Sequence, residues 1–276
     1  MGYLLATSIL WAFSFGLIKG QLTGVDPGFV AFVRLGLCAL VFLPFLRRNA
    51  HRPVAVRRLL LIGAVQFGLM YLLYIRSYQF LKGHEVALFT VLTPLYVALL
   101  SKSGRRGRIL TAAAIACVGA GVISWRPVAS EDVWIGFGIV QAANLCFAWG
   151  QVAYRRHRLE SEASSNTADM AITYIGACLV TGIVSAFMTD WPSVQLSNEQ
   201  VGTLLYLGLL PSGLGFYLWN LGATRVGSGT LAVMNDAKVP LAVLLSFTVF
   251  GEKAELIPLA IGGATIALAW ILVRRH

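Results

Sequence analysis

Two apolar stretches of this chain, residues 60–101 and 205–246, echo one another, and each is interrupted by a proline. At an offset of 145 residues Leu60, Gly63, Gly68, Leu69 and Leu73 match Leu205, Gly208, Gly213, Leu214 and Leu218. Tyr71 and Tyr74 face Phe216 and Trp219 in the same alignment, and after a slip of one residue Pro94-Leu95 falls on Pro240-Leu241. A helical proline frees the carbonyl four residues before it, here those of Thr90 and Asp236, and such groups persist in a membrane only where protein or a wet cavity satisfies them. Paired proline breaks in two halves therefore predict a repeat-built protein with a site beside Pro94 and Pro240, where the two freed carbonyls can meet a ligand or water.

Composition agrees. The chain is 57% hydrophobic and 12% charged, about half the charge of a soluble domain. Its apolar runs recur end to end at near membrane-spanning length, which predicts an all-α integral membrane protein in a lipid bilayer. The net charge of +10 does not point to nucleic acid, because the arginines sit in short loops between apolar runs. Cys38, Cys117, Cys146 and Cys178 all fall inside spans without metal or redox spacing and read as small buried hydrophobes. The first apolar run lacks the basic flank of a cleaved leader and is followed by further spans.

The hydropathy pattern predicts ten transmembrane helices near 3–20, 27–46, 58–80, 84–101, 109–124, 132–154, 168–188, 200–221, 228–249 and 256–273. Fifteen Lys and Arg residues fall in loops after even spans and at the C-terminus, four in loops after odd spans, and Arg34, Arg76 and Lys238 lie inside spans. That asymmetry predicts a plasma (bacterial inner) membrane protein with both termini cytoplasmic. Two repeats, residues 1–126 and 127–276, then hold five spans each. Five is odd, so the second repeat enters from the opposite side, and the repeats are inverted. A further echo at offset 134 joins Phe13 and Gly16 to Phe147 and Gly150.

Span 1 reads Leu10-Trp11-Ala12-Phe13-Ser14, span 2 has Pro27 and Phe32-Val33-Arg34-Leu35, and span 6 has Phe147-Ala148-Trp149-Gly150. Span 9 runs through Val239-Pro240-Leu241 to Phe250-Gly251-Glu252. In order, spacing and duplication these residues resemble the drug/metabolite transporter superfamily, EamA type, over essentially the whole chain. After Pro94 the first half reads Lys102-Ser103-Gly104-Arg105 and lacks the Gly-Glu turn, so that loop is not carried over. The resemblance implies secondary transport of a small organic metabolite, by alternating access, without a cofactor.

Lys238 lies mid-span, where an ammonium costs about 2.5–3.5 kcal/mol on insertion scales and so faces a cavity or a partner. It suits a substrate carboxylate or phosphate, or else a structural pair with Asp236 or a neighbouring helix. Asp236 is the one acidic residue deep in a span and the candidate for proton coupling; in an unbroken helix it points about 160° away from Lys238. Asn235 shares the Lys238 face, Gln141, Asn144, Ala148 and Gln151 form a stripe on span 6, and Thr7, Trp11 and Ser14 one on span 1. Thr90 and Thr93 flank the first break. For all of these, interhelical hydrogen bonding stands beside substrate contact. Tyr71, Tyr74 and Tyr78 make one face of span 3, matched by Trp219, as an aromatic pocket wall or ordinary packing. Arg34 and Arg76 fall in the outer halves of their helices, where each snorkels, pairs with Glu85 or draws anions inward. Small residues in spans 5 and 10, Gly119-Ala120-Gly121 and Gly262-Gly263-Ala264, predict close packing and a homodimer surface.

The expected function is a transporter or exporter of an amino acid or other carboxylate-bearing solute. Amines, phosphorylated metabolites and a non-transporting receptor are the alternatives. No metal-ligand cluster, nucleophile–base pair or phosphate-binding loop occurs in the sequence, so an enzyme is not expected.

Overall fold

Short polar caps and prolines set where several helices begin. Asp26 Oδ1 accepts from the Phe29 amide at 2.8 Å with Pro27 in the first turn, and Ser197 with Gln200 forms a reciprocal capping box. The computed structural model describes residues 1–22, 24–46, 53–81, 83–101, 105–124, 132–160, 165–241, 244 and 256–274. Among them it shows helices and turns and no strand. The elements are α1 (Gly2–Gln21), α2 (Pro27–Phe42), α3 (Pro53–Gly63), α4 (Met70–Ser77), α5 (Gly83–Thr90), α6 (Thr93–Leu100), α7 (Arg106–Ser124), α8 (Val133–Glu160), α9 (Asn166–Met188), α10 (Asn198–Leu207), α11 (Phe216–Thr224), α12 (Ser228–Met234) and α13 (Leu256–Arg274).

Six helical stretches among the described residues are long and apolar enough to cross a membrane: Pro27–Phe45, Pro53–Ser77, Arg106–Ile123, Val133–Glu160, Asn166–Met188 and Asn198–Thr224. Gly2–Ser14, Leu88–Leu100 and Ile257–Val273 are shorter apolar helices. The count differs from the ten spans expected. One physical reason is that a turn at Val91 and Leu92 divides the fourth span, and a turn at Asn235–Ala237 divides the ninth. The Phe250-Gly251-Glu252 motif lies outside the described residues.

The echo between the halves has a structural counterpart. Wide π-helical segments join α3 to α4 at Ala64–Leu69 and α10 to α11 at Gly208–Gly215. Both chain ends lie at one end of the bundle: Arg225 bonds Tyr3, Gly222 abuts Leu4, and Gly229 abuts Val273. The opposite end carries the bond from Gln200 to the Gln21 carbonyl at 3.1 Å. The α3–α4 stretch starts at the terminal end, where Arg58 pairs with Glu160 at 2.7 Å, and α10–α11 starts at the far end. The two π-bearing helices therefore run in opposite directions.

Glycines let backbones meet where the helices cross. A Cβ on Gly63 would meet the Thr173 backbone, and one on Gly176 would meet the Leu60 backbone, which fixes the α3–α9 crossing. Gly119 and Gly262 face each other in the same way between α7 and α13. Those two residues of the expected dimer surface are thus spent inside one chain, while Gly121 and Gly263 have open space before them.

Candidate functional site

The proline breaks do not leave carbonyls open as the sequence suggests. Thr93 Oγ1 donates to the Thr90 carbonyl at 2.7 Å, and the Val239 amide donates to the Asp236 carbonyl at 3.0 Å. At the third internal proline, Pro211, the Ser212 hydroxyl donates to the Leu207 carbonyl at 2.8 Å, the group Pro211 deprives of an amide. Side chains from other helices cap the rest of that π segment. Trp11 Nε1 donates to the Pro211 carbonyl at 3.1 Å, Thr7 to Gly215 at 3.0 Å, and Tyr174 Oη to Ser212 and Gly213 at 2.7 and 2.8 Å. Around the first break, Gln141 Nε2 and Asn144 Nδ2 both donate to the Phe89 carbonyl, at 3.1 and 2.9 Å. The breaks are therefore rigid, and what they present to a ligand is side chains.

Those side chains enclose a cavity of about 90 Å³ in the middle of the bundle. Its lining is Trp11, Ser14 and Ile18 from α1, Arg34 from α2, Met70, Tyr71 and Tyr74 from α4, Thr90 and Thr93 from the first break, Ala143, Asn144 and Phe147 from α8, Phe216 from α11, and Lys238. Toward the far end lies a vestibule of about 840 Å³ that includes Asp26, Val30, Tyr78, Gln79, Asp190 and Gln200. Ile18 lines both spaces, and the hydroxyls of Tyr74 in the cavity and Tyr78 in the vestibule are 2.7 Å apart. The two spaces thus adjoin at Ile18 and the Tyr74–Tyr78 pair.

The terminal side is closed by a buried layer one helical turn beyond the lining. Gln66 Nε2 donates to Asn220 Oδ1 at 3.0 Å, Trp219 Nε1 to Gln151 Oε1 at 3.0 Å, and Gln151 Nε2 to Asn235 Oδ1 at 3.3 Å. Each of these five residues is at most 1% exposed.

Lys238 is the free charge in the cavity. Its Nζ lies 6.0 Å from the Trp11 ring centre, and it forms no hydrogen bond or ion pair among the described residues. No salt bridge joins it to Asp236 among the described residues, although the two groups attract one another. Both Asp236 oxygens are buried without a hydrogen-bond partner, outside the lining, and the nearby ionisable groups are Lys238 and the Cys117 thiol of α7. Arg34, 2% exposed, donates through Nε and Nη2 to Ser212 Oγ at 3.2 and 3.0 Å and through Nη2 to Tyr71 Oη at 3.0 Å. Its guanidinium carbon lies 4.6 Å from the Tyr71 ring centre, and Nη1 has no partner.

Of the residues the sequence singled out, Lys238, Asn144, Trp11, Ser14, Tyr74 and Thr90 line the cavity. Tyr78 belongs to the vestibule, and Asn235 and Trp219 belong to the closing layer. Gln141 is occupied by Tyr96, Asn144 and the Phe89 carbonyl. Arg76 is exposed and does not reach the cavity, so it is not the second cation there. Arg34 takes that place, held by Ser212 of the π segment and Tyr71 of α4; its charge inside span 2 was the sequence signal.

The EamA-like transporter family model matches residues 1–126 and again residues 134–275. The biotin transporter of Salmonella typhimurium is 38% identical over 280 residues, covering 100% of this chain and 93% of that protein. The biotin transporter of Escherichia coli K12 is 39% identical over 280 residues, with the same coverage. A solved crystal structure with 20% identity superposes with a TM-score of 0.77 over 98% of this chain and 95% of the other, a likeness of fold.

Proposed function

The chain belongs to the EamA-like transporter family, and from that premise we propose that it carries biotin or a closely related small carboxylate across the membrane by alternating access. The observation that carries this reading is the Lys238 ammonium, buried at a helix break, facing a cavity lined in part by five aromatic rings, and without a hydrogen bond or salt bridge among the described residues. An unpaired charge in a membrane is expensive, and a ligand carboxylate would supply the missing counter-ion. The described lining holds two cations and no carboxylate. An amine, or the ammonium of an amino acid, would therefore meet like charge, which favours a plain carboxylate over either. The relatives named for biotin support the same choice of substrate.

Two five-helix repeats, residues 1–126 and 127–276 in inverted orientation, are the architecture we assign to this function. The opposite directions of the two π-bearing helices support it, as do the two matches of the family model. In this conformation the cavity opens toward the far end and the amide layer closes the terminal end. Transport then requires that layer to part while the Tyr74–Tyr78 side closes.

Asp236 is the residue we assign to proton coupling, since a carboxyl without hydrogen bonds in the membrane is poised to bind or release a proton as its surroundings change. Proteoliposomes test both assignments together. Uptake of labelled biotin should appear with the protein and rise with an imposed pH gradient, and Asp236→Asn should remove the gradient's effect. Absence of uptake in any gradient would sink the biotin reading; a normal pH response in Asp236→Asn would sink the coupling role alone.

The terminal end is assigned to the cytoplasm by the fifteen-to-four charge count. A single cysteine replacing exposed Arg57 at the start of α3 should resist an impermeant thiol reagent in intact cells and react after permeabilisation. Ready labelling in intact cells would reverse the orientation.

A further inference from the structure

The cavity holds a second cation whose spare donor nothing uses. Arg34 is buried, lines the cavity, and has Nη1 without a partner, although Nε and Nη2 are held by Ser212 and Tyr71. Guanidinium groups present donors in a planar fork suited to carbonyl and carboxylate oxygens, so a buried unused arm marks a place where an acceptor belongs. Three rings in successive contact lead from Arg34 to Lys238. Arg34 stacks on Tyr71, Tyr71 lies 5.8 Å from Phe216, Phe216 lies 5.0 Å from Trp11, and Lys238 lies 6.0 Å from Trp11.

From this arrangement we infer that the cavity is a two-ended acceptor site: Lys238 takes a carboxylate, Arg34 takes a second acceptor oxygen, and the ligand's apolar middle lies on the rings between them. The inference rests on the reading of the chain as a carboxylate transporter and names what the rest of the substrate must be. A short fatty acid fills one end only. A zwitterion brings a cation to a site that already has two. A molecule with a carboxylate at one end and a urea carbonyl or second carboxylate at the other satisfies both, and biotin is of this kind. Arg34 is thus a specificity-determining residue, reading the end of the substrate remote from its carboxylate.

Ligand analogues separate the two ends. Biotinamide removes the carboxylate charge, and iminobiotin replaces the ureido oxygen with a nitrogen that is cationic at neutral pH. Suberate keeps two acceptor ends on an apolar chain without the ureido ring. Binding is measured by calorimetry on the purified full chain, beside folded yield. The wild type should bind biotin at least about tenfold more tightly than either analogue, the size of effect expected for a lost charge-assisted hydrogen bond. Arg34→Gln should erase the preference over iminobiotin and keep the preference over biotinamide, and Lys238→Met should do the reverse. Because Arg34 also holds Tyr71 and Ser212, Arg34→Lys stands in if Arg34→Gln does not fold. It keeps the charge, loses the fork, and should weaken biotin about tenfold while leaving the biotin-to-biotinamide ratio unchanged.

A folded Arg34→Gln protein that still rejects iminobiotin in full overturns the inference, as does an Arg34→Lys protein with undiminished affinity for biotin. If the wild type ignores biotin but binds suberate, the biotin reading falls and the two-ended site stands. If it binds neither, both fall.

Discussion

Lys238→Met is expected to weaken biotin binding ten- to a hundredfold while folded yield stays at or above wild type. The lost affinity is that of a charge-assisted contact, about 1.5–3 kcal/mol. The yield follows from what the ammonium touches. It has no hydrogen bond or ion pair among the described residues, so its removal breaks no such contact and takes away only the longer-range attraction of the Asp236 carboxyl and the Trp11 ring. Removing the charge also relieves an insertion cost of about 2.5–3.5 kcal/mol. A structural lysine behaves in the opposite way: its loss leaves a counter-charge unpaired and the protein collapses. Thermal-shift titration with biotin, run beside size-exclusion yield, distinguishes the two. Unchanged affinity in a well-folded Lys238→Met protein would remove Lys238 from the site. Lys238→Arg should recover only part of the affinity, because the planar guanidinium does not replace a compact ammonium.

How much of this was legible beforehand divides along a physical line. Features set by local chain chemistry could be read from the sequence. The breaks near Pro94 and Pro240 follow from a missing amide. Features that depend on which helix lies opposite could not. Arg34 and Arg76 look alike in sequence, each a lone arginine in the outer half of an apolar span. Arg34 turns inward because the π segment after Pro211 brings Ser212 within 3.0–3.2 Å of it, whereas Arg76 has no such partner and stays exposed. The fate of the proline-freed carbonyls was likewise hidden. Predicting that Thr93 and Val239 would cap them requires the tight turn geometry, and predicting that Tyr174 and Trp11 would cap the π segment requires the packing of α1 and α9. The stripe of Gln141, Asn144 and Gln151 was visible at helical spacing, yet its members went to three tasks: a carbonyl clamp, the cavity wall and the closing layer.

The same limit produces an unequal outcome at two positions the sequence makes equivalent. Gly63 and Gly208 match one another at the 145-residue offset, and alanine at either gains about 1 kcal/mol of helix propensity. What the new methyl meets differs. At Gly208 the nearest atom is Leu37 Cδ1 at 2.7 Å, the far end of a flexible side chain that can rotate away; Leu37 Cβ at 3.3 Å must give by a few tenths of an ångström, and the Arg34 carbonyl at 3.4 Å is an ordinary contact. Overpacking of that kind costs about 1–3 kcal/mol, so Gly208→Ala should be near neutral to modestly destabilising. At Gly63 the methyl collides with the backbone carbonyl of Thr173, which no rotamer change can move. The α3–α9 crossing would have to open, and with it the reciprocal contact of Gly176 on Leu60. Gly63→Ala should therefore cost more than about 3 kcal/mol even after the propensity gain, beyond the usual range of overpacking, and yield little folded protein. Melting temperature in detergent and monodisperse yield measure the contrast. Equal stability of the two alanine variants would mean that the α3–α9 contact is looser than the structure shows, and a stable Gly63→Ala protein would remove that crossing as the element that holds the π-bearing helix, and with it Tyr71, in place beside Arg34.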